Sequence, residues 1–163
     1  MYFADESGFS LTPTIPYGWQ PVNQPIRMVT KKSARLNTFG LMTKKNELEA
    51  YTFWGSATGD LIIAFIDDFA KKMRQRTVII LDNATVHHTD EFQDKIQEWK
   101  ELDIDIFYLP RYSPHLNIIE TLWRKIKYEW LKPKDYQNLK TLEAAIDNIL
   151  INLGTDFIID FGD

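Results

Sequence analysis

The sequence predicts an α/β domain in which a mixed sheet of five strands is covered by helices on both faces. Its 163 residues include 44% hydrophobic side chains, enough for one well-packed domain and too few for two. Three strand-like segments come first, and helical and strand-like segments then alternate. Residues 1–163 are therefore interpreted as a single domain.

The first half of the chain contains the three strand-like segments. Residues 1–5 form a short apolar segment that stops at acidic residues, so we expect a strand whose end carries Asp5. Residues 12–25 include four prolines, which predicts an irregular loop or an edge hairpin. Residues 37–43 and 49–55 are rich in β-branched and aromatic side chains and flank a polar turn, which predicts an antiparallel hairpin.

The second half alternates helices and strands. Apolar residues recur at helical spacing from residue 61, which predicts a helix over residues 60–74. Residues 77–81 form a continuous apolar run, typical of a strand buried on both faces. Thr89 can cap a second helix, and residues 104–109 form the next strand. Two strands joined by a helix predict a right-handed parallel crossover, and a final helical region follows.

Composition and charge exclude several classes of protein. The chain has no cysteine, which excludes disulfides, thiolate-bound zinc and a thiol nucleophile. No signal peptide and no run of roughly 20 apolar residues is found, so we expect an intracellular protein without a membrane partner. The net charge of −4 argues against a self-sufficient nucleic-acid binder. Basic residues still occur in groups, such as Lys31, Lys32 and Arg35, which solvated surfaces usually explain.

Two aspartates occupy similar places in this scheme. Asp82 directly follows the buried strand 77–81, and Asp5 follows the first strand. If the two strands are neighbours, their carboxylates come within reach of a common divalent cation, which would offset their mutual repulsion. The alternative is that each aspartate only caps a loop at the end of its strand.

A third carboxylate, Glu120, lies at the edge of a helical apolar stripe and shares its side with Arg124 and Lys127. Two helix starts are possible. If Asn117 is the N-cap, Glu120 closes a capping box; if the helix starts at Ser113, Glu120 is available for a metal ion. Spacing leaves both open. The stripe consists of Ile119, Leu122, Trp123, Ile126 and Trp130.

Oxygen ligands favour magnesium or manganese over zinc. His87 and His88 follow Asp82 closely, which keeps a zinc or mixed site open, and His115 precedes Glu120. Histidines in loops are more typical of surface or hydrogen-bonding positions. No phosphate-binding glycine loop, dinucleotide turn or zinc-protease motif occurs.

Several motifs occur in a fixed order: residues 3–7 (FADES), 81–84 (LDNA) with His87, 108–110 (YLP) and 113–120 (SPHLNIIE). Together they resemble the DDE catalytic domain of the mariner superfamily of transposases, in its prokaryotic insertion-sequence branch. The resemblance covers essentially the whole chain. One departure is Ile118, where the family often has proline.

The resemblance implies an RNase H-like fold in which Asp5, Asp82 and Glu120 are the catalytic metal ligands. Two Mg²⁺ or Mn²⁺ ions are implied as cofactors, with Asn83 and Asn117 in supporting positions. His87 is implied either to position a ligand or to contact DNA. The expected DNA contacts are His87, Arg111, Arg124, Lys125 and Lys127.

The implied function is that of a cut-and-paste DNA transposase: metal-dependent hydrolysis at transposon ends, then strand transfer of the 3′-hydroxyl into target DNA, expected at TA. A homodimer on DNA and a cytoplasmic, nucleoid-associated location in a prokaryotic cell are also implied. The family's N-terminal helix-turn-helix region does not occur in this sequence, so a separate DNA-binding polypeptide is one possible partner. Two alternatives stay open: a nuclease without strand transfer, and an inactive remnant that binds DNA or dimerises.

Overall fold

Five strands form one mixed sheet in the computed structural model, which describes residues 1–14, 21–24 and 34–162. The strands are β1 (Tyr2–Phe9), β2 (Leu36–Met42), β3 (Leu48–Trp54), β4 (Thr77–Leu81) and β5 (Ile104–Tyr108). Their order in the sheet is β3-β2-β1-β4-β5. Strands β1, β2 and β3 pair antiparallel, whereas β4 pairs parallel with both β1 and β5. This arrangement confirms the predicted hairpin and crossover.

Helices cover both faces of this sheet, as predicted. The α-helices are α1 (Gly59–Lys72), α2 (Asp90–Glu101), α3 (Ile119–Lys125), which continues as one π-helical turn (Ile126–Trp130), and α4 (Leu139–Ile151). One face of the sheet packs against α1 and α2, around core residues such as Phe39, Ile66 and Trp99. The other face packs against α3 and α4, around Trp123 and Ile146. Within the described ranges, no helix is long and apolar enough to cross a membrane.

Strand β1 does not end at Asp5, and the expectation of a strand-terminal aspartate is wrong. The strand continues to Phe9 because residues 3–9 all pair with β2, even though the parallel pairing with β4 covers only Tyr2 and Phe3. Asp5 therefore lies where β1 extends beyond its parallel neighbour. Half of the predicted loop at residues 12–25 lies outside the described residues, namely residues 15–20 and 25.

The start of α3 matches neither expected position. Ser113 precedes a single 3₁₀ turn (Pro114–Leu116), and α3 begins at Ile119 without a side-chain cap. Asn117 is not a capping residue, because its side-chain amide donates instead to the Ala4 carbonyl at 3.1 Å. The backbone N–H of Asn117 bonds to Pro114, so the Glu120 side chain is not engaged in a capping box.

Candidate metal centre

Strand register places two of the predicted carboxylates side by side. Tyr2 pairs with Ile79 and Phe3 with Ile80, and the same offset puts Asp5 level with Asp82. Glu120, in the first turn of α3, faces them from the covering helix layer. All three side chains line one open cavity of about 780 Å³.

The Asp5 carboxylate is partly buried against α3. The Trp123 indole N–H donates to Asp5 Oδ2 at 3.1 Å, which fixes the side chain toward the helix. Burial raises the pKa of Asp5 to about 8, and the nearby carboxylates of Glu120, Glu6 and Asp82 add to the effect. The protein itself therefore does not balance a negative charge on the Asp5 carboxylate.

The Asp82 carboxylate has the opposite environment. Its Oδ1 accepts a hydrogen bond from the backbone N–H of Ala84 at 3.2 Å, and His87 Nδ1 lies 3.2 Å from both Oδ1 and the Asp82 carbonyl. The His87 hydrogen bond lowers the pKa of Asp82. Burial opposes protonation of His87, but its bonds to Asp82 outweigh burial and raise its pKa.

His87 itself is only 1% exposed, which disfavours a direct contact of its side chain with DNA. The expected DNA contact of His87 stays a prediction that its burial does not support. Of the two roles considered, the structure fits the positioning role, since the ring fixes the orientation of Asp82. His88, by contrast, is exposed and bonds to the side chain of Asn83.

The two predicted supporting asparagines line the same cavity as the carboxylates. Asn117 is buried and ties the turn before α3 to β1 through the Ala4 carbonyl, directly before Asp5. This bond fixes the distance between the strand that carries Asp5 and the helix that carries Glu120. Asn83 follows Asp82 and bonds to His88 at the cavity wall.

The donor set suits a hard divalent cation, because it consists of carboxylate and amide oxygens. The raised pKa of Asp5 also fits a site where a cation would balance the clustered charge. In the part of the chain that is described, however, no three His, Asp or Glu side chains already lie close enough together to hold an ion. The carboxylates face one cavity without converging on one point, so binding would have to draw them closer.

The predicted basic residues differ in their positions. Arg111 lines the cavity, and Arg124 is exposed one turn beyond Glu120 on α3. The Lys127 ammonium lies 5.4 Å from the centre of the Phe9 ring.

Lys125 is not brought to the cavity. It bonds to Glu129 at 2.6 Å. At about 100° per residue it also points roughly 140° away from Glu120. Of the basic residues proposed for DNA, Lys125 is thus the one placed on another side of the helix.

Two residues near the carboxylates were missed by sequence reasoning. Trp123 was assigned only to the core stripe, yet its indole N–H binds Asp5. Gly40 pairs with Asp5 across β1 and β2, and an added Cβ there would lie 3.0 Å from both Ile119 and Trp123. A glycine inside an otherwise apolar strand was the available signal, since it often marks a close approach of another element.

Comparison with known proteins identifies similar sequences. A family model described as DDE superfamily endonuclease matches residues 1–143. The insertion element IS630 uncharacterized 39 kDa protein of Shigella sonnei is 26% identical over 129 residues, which make up 77% of this chain and 37% of that protein. The chain therefore spans little more than a third of this relative.

Two solved structures share the fold. The Mos1 strand transfer complex matches with a TM-score of 0.65 and 11% identity, covering 92% of this chain and 46% of that one. The Mos1 mariner paired end complex with Mn matches with a TM-score of 0.65 and 12% identity, covering 96% and 49%. At such identities the likeness concerns the fold, and it confirms the expected RNase H-like class.

Proposed function

The chain belongs to the family of DDE superfamily endonucleases, and on that premise we propose that it is the catalytic domain of a cut-and-paste DNA transposase. The observation that carries this proposal is the shared cavity of Asp5, Asp82 and Glu120. Asp5 on β1 is level with Asp82, which directly follows the neighbouring parallel strand β4, and Glu120 comes from the helix packed above them. The reaction is hydrolysis of DNA at transposon ends, followed by transfer of the 3′-hydroxyl into target DNA.

The proposed ligands of two Mg²⁺ or Mn²⁺ ions are Asp5, Asp82 and Glu120. When bound, such ions activate the attacking oxygen and stabilise the leaving oxygen of a phosphodiester. His87 holds Asp82 in one orientation through Nδ1 and keeps that carboxylate ionised. Trp123 holds the Asp5 side chain toward α3, the helix that carries Glu120, and Arg111 offers a cation to DNA at the cavity.

The proposed partner is DNA, as both the transposon ends and the target, with TA as the expected target dinucleotide. Support comes from the Mos1 structures, which are a strand transfer complex and a paired end complex. Paired ends also support a homodimer on DNA. A separate N-terminal DNA-binding polypeptide, and a cytoplasmic, nucleoid-associated location in a prokaryotic cell, complete the proposal.

The test is nicking of a supercoiled plasmid by the purified chain in the presence of Mn²⁺. We expect open-circle product from the wild type and a loss of at least about 100-fold in rate for Asp82→Asn, because one ligand charge is removed. Asp94→Asn is the matched control: Asp94 is exposed on α2, and this variant should nick like the wild type. Nicking by Asp82→Asn at the wild-type rate would sink the assignment.

Pre-cut DNA ends separate the proposal from its alternatives. A transposase joins the free 3′-hydroxyl to a target plasmid, whereas a nuclease without strand transfer releases only hydrolysis products. A wild-type chain that binds DNA without cutting or joining it would instead be an inactive remnant.

A further inference from the structure

One aromatic side chain at the carboxylate cavity is almost completely exposed. Tyr112 lies between β5 and the 3₁₀ turn Pro114–Leu116, and it lines the same cavity as Asp5, Asp82 and Glu120. It is 97% exposed, more than any other large hydrophobic residue in the described part of the chain. Because stabilisation by an aromatic ring depends on the area it buries, the ring of Tyr112 adds almost nothing to the stability of the fold.

The backbone at Tyr112 is unusual as well. Its φ is 59°, in the left-handed region where the Cβ of an ordinary residue is crowded. Three other described non-glycine residues have a positive φ, and all are of types that tolerate it, namely Asn23, Asn46 and Asp103. The chain thus keeps an aromatic residue where asparagine or glycine would be less strained. Strained backbone of this kind concentrates at ligand-binding sites.

Hydrogen bonds anchor the chain on both sides of Tyr112. The Leu109 N–H donates to the carbonyl of Leu81, the residue before Asp82, at 2.8 Å. On the other side, the Leu116 N–H donates to the Ser113 carbonyl at 3.1 Å. The ring is therefore held at the wall of the cavity by a turn that is tied to the strand leading to Asp82.

The neighbours of Tyr112 in the cavity indicate what its ring can meet. The carboxylates suit the metal ions that act on a phosphodiester, and Arg111 offers a cation to a phosphate. A ring placed among groups for the DNA backbone faces the bases attached to that backbone. A paired base has both faces covered by its neighbours in the duplex, so only an unpaired base can present a face to the ring.

We propose that Tyr112 stacks on an unpaired base of the DNA strand whose phosphodiester lies at Asp5, Asp82 and Glu120. This inference rests on the proposed function, since DNA must be the molecule that enters the cavity. Every base has a π-face, so the contact does not depend on base sequence. It holds the strand open beside the phosphodiester that reacts.

The binding test compares two fluorescent duplexes of one sequence, fully paired or with a short unpaired bubble, by anisotropy with the full chain in Mg²⁺ buffer. The wild type should bind the bubble duplex about tenfold more tightly, and Tyr112→Ala should lose that preference. Tyr112→Phe should keep it, because the ring makes the contact. Tyr128→Ala is the matched control, since Tyr128 is exposed but does not line the cavity. An unchanged preference in Tyr112→Ala would overturn the proposal.

Two further measurements separate stacking from other roles of the ring. Tyr112→Ala removes no charge, so the slope of log K against log salt should not change, whereas Arg111→Gln should reduce it by about one. Sedimentation of the DNA-free chain should be the same for the wild type and Tyr112→Ala. A changed slope, or a dimer lost only in Tyr112→Ala, would assign the residue to phosphate binding or to a protein interface and overturn the proposal.

Tyr112→Asn tests whether strain is kept for DNA rather than for the fold. Asparagine tolerates the left-handed backbone, so the melting temperature should stay the same or rise by about 2 °C. The same variant should lose the preference for the bubble duplex. A lower melting temperature would show that the ring supports the fold, and a retained preference would show that stacking is not its role; either result contradicts the proposal.

Photo-cross-linking gives a readout that does not depend on affinity. A 5-iodouracil in the bubble couples to an aromatic ring stacked on it, and mass spectrometry identifies the residue. We expect the cross-link at Tyr112; cross-links only at other residues would contradict the proposal. A cross-link at Tyr112 in a chain that never nicks would support the stacking while refuting the proposed function. Nicking by a chain whose Tyr112→Ala variant keeps the bubble preference would do the reverse.

Discussion

The two aspartates that line the cavity have the same side chain, but their environments shift their pKa values in opposite directions. Asp82 is held by His87 and by the Ala84 N–H, which favour its ionised form. Asp5 receives one indole N–H, but its burial and the carboxylates beside it favour its protonated form. A cation that binds both must therefore displace a proton from Asp5 near neutral pH.

The raised pKa of Asp5 predicts how stability depends on pH. Folding raises this pKa from 3.8 to about 8, so the folded state binds the proton more tightly. The resulting stabilisation is complete below the lower value and is lost as the pH rises through the upper one. We expect the metal-free melting temperature to fall by roughly 10 °C between pH 5 and pH 8.5. Mg²⁺ should raise it more at pH 8.5 than at pH 5.

Asp5→Asn serves as the control for this linkage. The amide cannot titrate, so the variant should lose most of the pH-dependent fall and most of the Mg²⁺ effect. Differential scanning calorimetry of both proteins at the two pH values measures this. An identical fall in melting temperature in the wild type and in Asp5→Asn would show that titration of Asp5 does not cause the fall.

The contacts between His87 and Asp82 predict the effect of substituting His87. Because Nδ1 makes both contacts to Asp82, His87→Asn can retain a donor at that position, whereas His87→Gln presents its amide further out. We expect His87→Gln to lower the nicking rate and the apparent Mn²⁺ affinity about 10–100-fold, with a smaller loss for His87→Asn. A Mn²⁺ titration of nicking tests the order; equal losses would contradict positioning through Nδ1.

Among the elements, the contact between α3 and the sheet determines the position of Glu120. Helix α3 packs over β1 and β2, and Gly40 of β2 leaves room for the Trp123 indole opposite Asp5. Asn117 ties the preceding turn to β1. The helix is therefore held at both sides of Glu120 by contacts to the strand that carries Asp5.

Gly40→Ala should disturb this element. The new methyl group would approach the side chains of Ile119 and Trp123 to 3.0 Å, which is tighter than ordinary van der Waals contact, so these side chains must move by a few tenths of an ångström. We expect destabilisation of about 1–3 kcal/mol in urea unfolding and slower nicking. Gly59→Ala is the control, since its nearest neighbour, Val86, would be at an ordinary 3.5 Å. Wild-type stability of Gly40→Ala would show that α3 adapts freely.

For the whole molecule, one buried asparagine connects the turn between β2 and β3 to the segment after α4. Asn46 accepts from the Ile159 N–H at 2.9 Å and donates to the Ile159 carbonyl at 3.0 Å. It is 8% exposed and has a φ of 63°, a conformation that asparagine tolerates. Neither Asn46 nor Ile159 lines the carboxylate cavity.

Asn46→Gly tests that connection, because glycine keeps the backbone conformation but removes both hydrogen bonds. We expect a loss of about 2 kcal/mol in the free energy of unfolding, since the Ile159 groups are left unpaired. Nicking well below the melting temperature should not change. Asn23→Gly, at an exposed turn with the same φ of 63°, is the control and should shift stability by less than about 0.5 kcal/mol. Equal effects at both sites would refute the role of the bonds.

The sequence by itself determined the elements, their order and the family. Local patterns suffice there: the apolar run of β4 ends directly before Asp82, Thr89 caps α2 by accepting from the Phe92 N–H, and the stripe of α3 is buried apart from the half-buried Trp130. The placement of Asp82 and Glu120 in one cavity was foreseeable, because both flank clear elements. Each of these features depends on residues a few positions apart.

Only the tertiary structure decided how the candidate site is held. Pairing with β2 carries β1 beyond Asp5, Ala4 binds Asn117 and so removes it from the helix cap, and Trp123 reaches Asp5. The last two contacts join residues 113 and 118 positions apart. Local propensity carries no information about such partners, because the free energy that selects them arises from packing and hydrogen bonding between distant segments once the sheet and helices have assembled.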